Sequence, residues 1–312
     1  MALTTQPKRV IVFGATGTAG QGAVRALNAA GHDVTCVVRR ATDMVGAQIV
    51  ADVTQPLHIS GAFDVVVSCL ASRSGSPDDA WAIDLLAQLN VLRWAEAAGV
   101  AQFILLSAIC VQKPALPFQH AKLAFEEALI DSDITYSIVR PTAFFKSLSG
   151  QLDRVRAGKP FLVFGDGTLT ACKPISDDDL GQYIAGCIDD TSRHNQVLPI
   201  GGPGDAVTPL DQVAALSRLL GQQVKIKRVP VTLISTIYHA LRIAGLVSKK
   251  AAAKAELARI GRYYATESML VWDGARYDAA ATPSTGTQTL FAYYAKLIAD
   301  DASVQRGDHT VF

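Results

Sequence analysis

The stretch that decides the fold is RVIVFGATGTAGQGAVRALNAAGHDVTCVVRR, residues 9–40. Its first five residues, Arg9–Phe13, form a short apolar run that predicts a buried strand. The segment Gly17–Ala30 has apolar residues at helical spacing and is followed by Gly31, which predicts a helix that stops there. Val34–Val38 is a second apolar run. A strand, a glycine-rich turn, a helix and another strand predict a βαβ unit with parallel strands.

The turn between the first strand and the helix has the sequence GATGTAG, Gly14–Gly20. Gly14 permits a tight turn, Gly17 lets the backbone approach a pyrophosphate, and Gly20 lets helix and strand pack closely. The helix N-terminus offers N–H groups and a positive dipole end to a phosphate. The strand before and the helix after give the motif its specificity. We assign cofactor binding to six residues of this turn: Gly14, Thr16, Gly17, Thr18, Ala19 and Gly20.

The second strand is followed by two basic residues, Arg39 and Arg40. In sites that prefer NAD, an acidic residue here accepts hydrogen bonds from the ribose 2′-hydroxyl. Two guanidinium groups instead suit a 2′-phosphate, so we predict NADPH as the cofactor. Asp52, after the third apolar run, is placed to meet the adenine edge. The alternatives are a solvated pair of surface arginines and a turn-capping aspartate.

Apolar runs continue to alternate with amphipathic segments along the first half of the chain. The further strands are predicted at Gln48–Val53, Asp64–Leu70, Phe103–Ser107 and Thr135–Val139, and the further helices at Asp84–Ala98 and Ala121–Ile130. Continuous apolar strands separated by helices indicate a parallel sheet covered on both faces. The predicted fold class is therefore α/β, a doubly wound parallel sheet of the Rossmann type.

The second half of the chain is less regular and predicts a smaller, mostly helical part. We place a cofactor-binding domain at residues 1–200 and a substrate-binding region at 201–312, with late sheet strands free to interleave. Pro209 begins a further helix after a GGPG turn. The apolar segment Val231–Val247 suits a membrane surface, a hydrophobic ligand or a buried helix over the substrate cleft, and we favour the buried helix.

Composition excludes several classes of protein. The chain has 312 residues, 49% of them hydrophobic, and a net charge of +1, which excludes a disordered chain and a broadly basic nucleic-acid binder. The five cysteines are scattered, and no His, Cys or carboxylate cluster has metal-ligand spacing, so we expect no disulfide framework and no metal. No apolar signal core precedes the first strand and no apolar run is long enough to span a bilayer, which predicts a cytoplasmic protein.

The glycine spacing resembles the short-chain dehydrogenase/reductase superfamily, in its extended and atypical branches. That superfamily usually carries Tyr-x-x-x-Lys in the helix after the fifth strand. The matching stretch here is FQHAK. Lys122 stands at the position of the family lysine, but Phe118 replaces the tyrosine. The missing phenol argues against carbonyl and alcohol chemistry, in which it would give or take the oxygen proton.

Longer segments narrow the resemblance to one family, the NADPH-dependent divinyl chlorophyllide 8-vinyl-reductases. The segments are VVSCLASR (Val66–Arg73), VQKPALPFQHAKLAFEEAL (Val111–Leu129), ITYSIVRPTAFFKSLSGQ (Ile134–Gln151), GKPFLVFGDGTLTACKPIS (Gly158–Ser176), NQVLPIGGPG (Asn195–Gly204), RIGRYYATESMLV (Arg259–Val271) and GDHTVF (Gly307–Phe312). The resemblance implies reduction of the C8 vinyl group of a divinyl chlorophyllide or protochlorophyllide, so the expected partner is a small tetrapyrrole. Its magnesium belongs to the substrate. The sequence leaves the oligomeric state and peripheral membrane contact open.

Family position assigns Lys122 to the nicotinamide ribose and Phe118 to packing beside the nicotinamide or the macrocycle. The loop after the fourth strand is assigned to the ribose-pyrophosphate path through Ala71, Ser72 and Arg73. Ser107, at the end of the fifth strand, is assigned to the nicotinamide amide. The alternatives are an exposed helix lysine, a core aromatic residue and a strand-end cap.

Substrate contacts are predicted at the carboxyl edge of the sheet, where such folds bind ligands. Phe144 and Phe145 are expected to stack on the tetrapyrrole, and Lys146 or Lys173 to meet its propionate. Tyr263 is a candidate proton donor, although we slightly prefer the alternative of an amphipathic helix that anchors the C-terminal part. Two other functions compete: a non-catalytic NADPH-binding regulator or pigment-protein assembly factor, and a sugar or phenolic reductase or epimerase, which Phe118 disfavours.

Overall fold

The computed structural model describes residues 6–44 and 46–302, and of Lys249 the backbone alone. The segment Gly307–Phe312, part of the family resemblance, lies outside the described residues. The strands are, in chain order, β1 (Arg9–Phe13), β2 (Asp33–Val38), β3 (Ala47–Val50), β4 (Val65–Ser68), β5 (Gln102–Leu106), β6 (Thr135–Pro141), β7 (Phe161–Phe164), β8 (Gln196–Ile200), β9 (Ile226–Val229), β10 (Val271–Trp272) and β11 (Tyr277–Asp278).

The helices flank the strands and also form most of the C-terminal region. They are α1 (Thr18–Ala29), α2 (Pro77–Ala80), α3 (Gln88–Ala97), α4 (Pro117–Ile130), α5 (Phe145–Leu148), α6 (Leu152–Arg156), α7 (Asp177–Gly186), α8 (Pro209–Leu219), α9 (Val231–Gly245), α10 (Lys249–Thr266) and α11 (Leu290–Ala299). A π-helical segment, Trp81–Ala87, joins α2 to α3. Short 3₁₀ turns lie at Ile109–Gln112, Ser149–Gln151 and Thr191–Arg193.

Seven strands form one sheet in the order β3-β2-β1-β4-β5-β6-β8, and every neighbouring pair is parallel. The strand order reverses direction between β1 and β4, which opens a crevice at the carboxyl ends of these two strands. Ligands of doubly wound sheets bind at that point. The predicted fold class is confirmed.

The sheet divides the core into two layers because successive side chains of a strand point to opposite faces. In β1, Val10 and Val12 join a cluster that includes α1 and α7, whereas Ile11 and Phe13 join a cluster that includes α3 and α4. All four side chains are fully buried. This explains why β1 is an uninterrupted apolar run.

Two glycines let α1 and α7 cross in close contact on one face of the sheet. A Cβ on Gly22 would collide with the backbone carbonyl of Asp177, and a Cβ on Gly181 would collide with the carbonyl of Gly22. The close crossing fixes α1, and with it the glycine-rich turn, against the C-terminal half of the sheet.

The chain leaves the large sheet after β6 and returns at β8. The excursion contributes α5, α6 and β7, and β7 pairs with β9 from the C-terminal region. Phe145 and Val163 of the excursion share a buried cluster with Leu216 and Tyr294. The sequence did not predict this exchange, and the division at residue 200 stays a prediction.

The prediction of a buried helix at Val231–Val247 is wrong. Every residue of α9 lies in the described part of the chain, and none of them is buried. Leu233 and Ile237 are 49% and 45% exposed. Apolar composition indicated burial, but the helix packs mainly against α10, a single partner that covers only part of its surface. Within the described residues, no helix is both long enough and apolar enough to cross a bilayer.

Candidate functional site

The glycine-rich turn occupies the crevice at the carboxyl ends of β1 and β4. Gly14 has φ +74°, and a Cβ there would lie 2.6 Å from the carbonyl carbon of Cys69, at the end of β4. A Cβ on Gly20 would collide with the carbonyl oxygen of Gly14. Because both positions exclude a side chain, the turn is compact and the start of α1 stays close to the sheet.

The N-terminus of α1 is open to a ligand. Gly17 is its N-cap, and no described side chain caps the helix there. A Cβ on Gly17 would meet only the carbonyl oxygen of Gly14, at 3.4 Å. Thr16 and Thr18 are exposed, and Ala19 is partly exposed. The turn therefore presents unpaired backbone N–H groups and unfilled space, the arrangement that binds a pyrophosphate.

Lys146 extends from α5 to this turn. Its Nζ lies 3.0 Å from the hydroxyl oxygen of Thr18. The sequence offered Lys146 or Lys173 for the substrate propionate; the structure places the Lys146 ammonium at the glycine-rich turn, and its propionate contact stays a prediction. Lys146 also offsets the effect of burial on Asp177: burial raises the pKa of that carboxyl and the nearby ammonium lowers it.

The two arginines after β2 are exposed at the same edge of the sheet. Asp52 accepts hydrogen bonds from the backbone N–H of Thr54, at 3.0 Å, and from its hydroxyl, at 2.7 Å. These bonds and the nearby charge of Arg39 lower the pKa of Asp52. Asp52 is therefore an exposed turn cap beside Arg39, which matches the alternative weighed for it. Arg39 and Arg40 lie where the sequence placed them.

The loop after β4 is hydrogen-bonded to the π-helical segment and to α2. The backbone N–H of Ser72 donates to Asp84, at 3.4 Å, and that of Arg73 donates to Asp79, at 2.7 Å. Ser72 is buried, whereas Ala71 and Arg73 are exposed. The loop thus lies next to the crevice with a fixed backbone.

A buried ion pair lies at the centre of the site. The Lys122 ammonium is 2.9 Å from Oδ1 of Asp84, and the two side chains are 11% and 1% exposed. Among the described residues, Oδ2 of Asp84 has no hydrogen-bond partner. A small pocket beside the pair is lined by Asp84, Gln88, Leu105, Leu106, Ser107, Lys122 and Phe125. An unpaired buried carboxylate oxygen costs free energy in a fold, so this place is a candidate binding site.

The π-helical segment explains how Asp84 reaches Lys122. Single π-helical turns inside α-helices recur at functional sites because they shift the helix register. The sequence predicted a helix over Asp84–Ala98 but gave Asp84 no role. Asp84 is buried in the segment Trp81–Ala87, and α3 begins only at Gln88.

Ser107 belongs to a second buried polar network. Its hydroxyl donates to Glu126, which forms an ion pair with Arg140. Ser107 is therefore occupied by a protein partner, and its predicted contact with the nicotinamide amide stays a prediction. Glu126 is 2% exposed and lies four residues after Lys122, on the same face of α4. That spacing was a sequence signal for Glu126, whereas no local pattern indicated Arg140.

The apolar wall of the site is formed where α4 meets α10. Phe118 is partly buried and packs with Ile260 and Tyr263 in one cluster. The Tyr263 hydroxyl lies 3.0 Å from the carbonyl oxygens of Cys110 and Lys113, and burial raises the pKa of Tyr263. The candidate proton donor is thus a buried side chain that anchors α10, as the alternative reading expected.

Two of the residues predicted to contact the substrate already have protein partners. Phe145 is 4% exposed, and its ring lies 5.5 Å from that of Tyr293 in the C-terminal core, so it has no free face to stack on a ligand. Lys173 donates to the carbonyl oxygen of Thr282, at 2.9 Å, and to the hydroxyl of Ser284, at 3.1 Å. It fastens the C-terminal loop. Phe144 is partly buried against the sheet core. No group of residues that could hold a metal ion is found within the described ranges.

The family profile described as NAD(P)H-binding matches residues 14–191. The chain is 44% identical to divinyl chlorophyllide a 8-vinyl-reductase of Zea mays, over 100% of this chain and 84% of that protein. It is 26% identical to photosystem II assembly factor Ycf39 of Cyanophora paradoxa, over 72% of this chain and 73% of that protein.

Two solved structures share the fold. An NADPH-dependent quinone oxidoreductase of Escherichia coli, complexed with NADPH, has a TM-score of 0.66 at 18% identity, over 93% of this chain and 99% of that chain. The binary complex of leucoanthocyanidin reductase with NADPH from Vitis vinifera has a TM-score of 0.68 at 12% identity, with the same shares covered.

Proposed function

The chain belongs to the divinyl chlorophyllide a 8-vinyl-reductase family, and from that membership we propose that it reduces the C8 vinyl group of a divinyl chlorophyllide or protochlorophyllide to ethyl. It is an oxidoreductase with a nicotinamide-binding domain, and its reaction belongs to chlorophyll biosynthesis. The observation that carries the proposal is the 44% identity over the whole chain.

Reduction of a vinyl group adds one hydride and one proton across a carbon–carbon double bond. A bound nicotinamide supplies the hydride. The negative charge that develops on the adjacent carbon spreads into the macrocycle, so the site needs no strong oxyanion donor. Phe118, where related enzymes carry a tyrosine, fits this requirement. Its ring contributes an apolar wall and leaves positioning as the main source of catalysis.

NADPH is the proposed form of the cofactor. Arg39 and Arg40 are exposed after β2, where their guanidinium groups suit a 2′-phosphate. Thr16, Thr18 and Lys146 surround the open N-terminus of α1, where the turn has space for the pyrophosphate. We propose that Lys146 adds a positive charge to that contact.

Lys122 is proposed to bind the nicotinamide ribose. Asp84 holds the ammonium at 2.9 Å and, through the N–H of Ser72, also fixes the loop that borders the crevice. A lysine side chain has four rotatable bonds, so a buried carboxylate partner restricts where its ammonium can go. Asp84 is in this sense a positioning residue for Lys122.

The two parts of the chain have different proposed roles. We propose that the sheet up to Ile200 binds the cofactor and that the region from residue 201 onward binds the tetrapyrrole, with Phe118 and Phe144 at the boundary. A cytoplasmic location, expected from the sequence, stays a proposal, since the name of the maize relative places that protein in the chloroplast.

The experiment is an anaerobic incubation of the purified chain with 3,8-divinyl chlorophyllide a and either NADPH or NADH, followed by chromatography of the pigments. We expect conversion to the 8-ethyl pigment with NADPH and little with NADH. Changing Arg39 and Arg40 together to alanine should raise KM for NADPH about 10-fold or more and leave KM for NADH nearly unchanged. Arg93→Ala, which removes an exposed arginine of α3, is the matched control.

The alternative is a non-catalytic NADPH-binding assembly factor, which the similarity to Ycf39 favours. Tight NADPH binding without turnover of any divinyl tetrapyrrole would select this alternative. The reductase proposal requires turnover, so the same incubation decides between the two.

A further inference from the structure

The connection between α9 and α10 is the most exposed apolar part of the described chain. Leu246 and Val247 are 84% and 92% exposed, and Ile243 before them is 69% exposed. Leu233 and Ile237 add apolar area one turn apart on α9. Isolated exposed apolar residues are common, but a contiguous group of this kind marks an interaction surface.

This apolar surface lies within a basic stretch of the chain. Residues 225–262, the basic segment, contain nine Lys and Arg residues but a single acidic residue, Glu256, for a net charge of +8. The rest of the chain has 20 basic and 27 acidic residues, a net charge of −7. The net charge of the whole chain is therefore close to zero although its positive charge is concentrated in the basic segment. The exposed basic residues described in the segment are Lys225, Lys227, Arg228, Arg242, Lys250, Lys254 and Arg262.

The basic segment is fixed to the body of the protein at both ends, by the pairing of β9 with β7 and by α10. Ala255, Ile260 and Tyr263 of α10 are buried, and the Tyr263 hydroxyl bonds to the loop after β5. Close to the exposed connection, α9 and α10 approach each other closely. A Cβ on Gly245 would lie 3.1 Å from Cα of Ala252. The two helices thus form a rigid support for the exposed connection.

We propose that the basic segment docks the protein on an anionic membrane surface, with Leu246 and Val247 inserted at the boundary between headgroups and acyl chains. Apolar residues flanked by lysine and arginine are the combination that holds a helix in a lipid interface. A two-fold dimer that pairs this segment with itself is a poor alternative, because two segments of net charge +8 repel each other. A nucleic acid would use the charge but would leave the exposed leucine, isoleucine and valine side chains without a partner.

The test is flotation of the full chain with vesicles of phosphatidylcholine alone and of equal parts phosphatidylcholine and phosphatidylglycerol. We expect binding to the mixed vesicles, little binding to the neutral ones, and loss of binding as salt rises from about 0.05 to 0.5 M. Leu246→Ser with Val247→Ser, and separately Lys250→Glu with Lys254→Glu, should each weaken binding about 10-fold or more.

Matched controls change the same residue types elsewhere. Ile130→Ser, at the exposed end of α4, and Lys296→Glu, on α11, should bind the vesicles like the unchanged chain. All variants should keep NADPH binding and the urea-unfolding midpoint of the unchanged chain, which shows that they are folded and separates this test from that of the reductase function.

Three outcomes would overturn the proposal. One is equal flotation with neutral and anionic vesicles, or none with either. Another is a concentration-dependent dimer, seen by light scattering, that the Leu246 and Val247 changes abolish, because it would assign the surface to a second copy. The third is tight binding of a single-stranded oligonucleotide with no binding to anionic vesicles.

Discussion

The buried pair of Lys122 and Asp84 allows a test that separates a structural role from a cofactor-binding role. Lys122→Met removes the ammonium but keeps a side chain of similar length, whereas Asp84→Asn removes the negative charge with little change of shape. The double variant removes both charges. Together the four proteins form a double-mutant cycle, whose result is the coupling energy between the two side chains.

The magnitude follows from the geometry. At 2.9 Å and an effective dielectric constant of about 20, the attraction is of order 6 kcal/mol before desolvation is subtracted. Removing Lys122 leaves Asp84, only 1% exposed, as an unpaired buried charge, and we expect a loss of about 3–5 kcal/mol in the free energy of unfolding. Asp84→Asn should cost less, about 1–3 kcal/mol, since the 11% exposed ammonium keeps an amide oxygen beside it. The double variant should lose less than the sum of the two, by about 1–3 kcal/mol.

The assay is urea unfolding without cofactor, together with NADPH titration by fluorescence. We expect the double variant to be about as stable as Lys122→Met, although Asp84→Asn alone is destabilising, and to stay weak in NADPH binding, since the ribose contact is gone. Asp84→Asn should lower kcat more than it raises KM, since the ammonium remains but is less firmly held. Additive losses of stability, within about 0.5 kcal/mol, would refute the pairing. Normal NADPH binding by Lys122→Met would refute the assignment to the ribose.

Three further predictions concern the turn, an anchor and a thiol. Gly20→Ala should destabilise the chain by about 1–3 kcal/mol in urea unfolding, because its Cβ would collide with Gly14, whereas Gly17→Ala should keep stability and weaken NADPH binding; similar unfolding midpoints for the two would contradict this. Tyr263→Phe should cost about 0.5–1.5 kcal/mol and change kcat less than threefold, and a large loss of kcat without a loss of stability would restore the tyrosine as proton donor. Burial raises the pKa of Cys172 to about 12, so iodoacetamide at pH 8 should alkylate it roughly a thousandfold more slowly in the folded chain than in urea, as mass spectrometry of the labelled peptide would show.

The large sheet could be predicted from the sequence because buried parallel strands are continuous apolar runs. β1 matched its predicted bounds, and β4 lies inside the predicted Asp64–Leu70. The excursion between β6 and β8 could not be predicted, because its short helices and the strand Phe161–Phe164 are stabilised by residues of the C-terminal region. Contacts between distant parts of the chain leave no local periodicity.

The site was predictable where backbone geometry decides it and less so where side-chain direction decides it. Gly14 and Gly20 lie where their spacing placed them, because only glycine fits those positions. The two lysines offered for the substrate could not be told apart in the sequence, and the structure directs Lys146 to the glycine-rich turn and Lys173 to a C-terminal loop. A long, flexible side chain can reach several partners, and the fold selects among them.

The loss of the tyrosine at Phe118 did not remove the polar groups around it. Lys122 keeps a buried carboxylate partner, and Ser107 keeps a buried charged network with Glu126 and Arg140. Buried charges are expensive to maintain unless they serve binding or fix a geometry. An ammonium that Asp84 holds in a fixed position suits the proposed contact with the nicotinamide ribose. An apolar residue at the tyrosine position together with a retained lysine fits the proposed delivery of hydride to a carbon–carbon double bond, which needs no strong oxyanion donor.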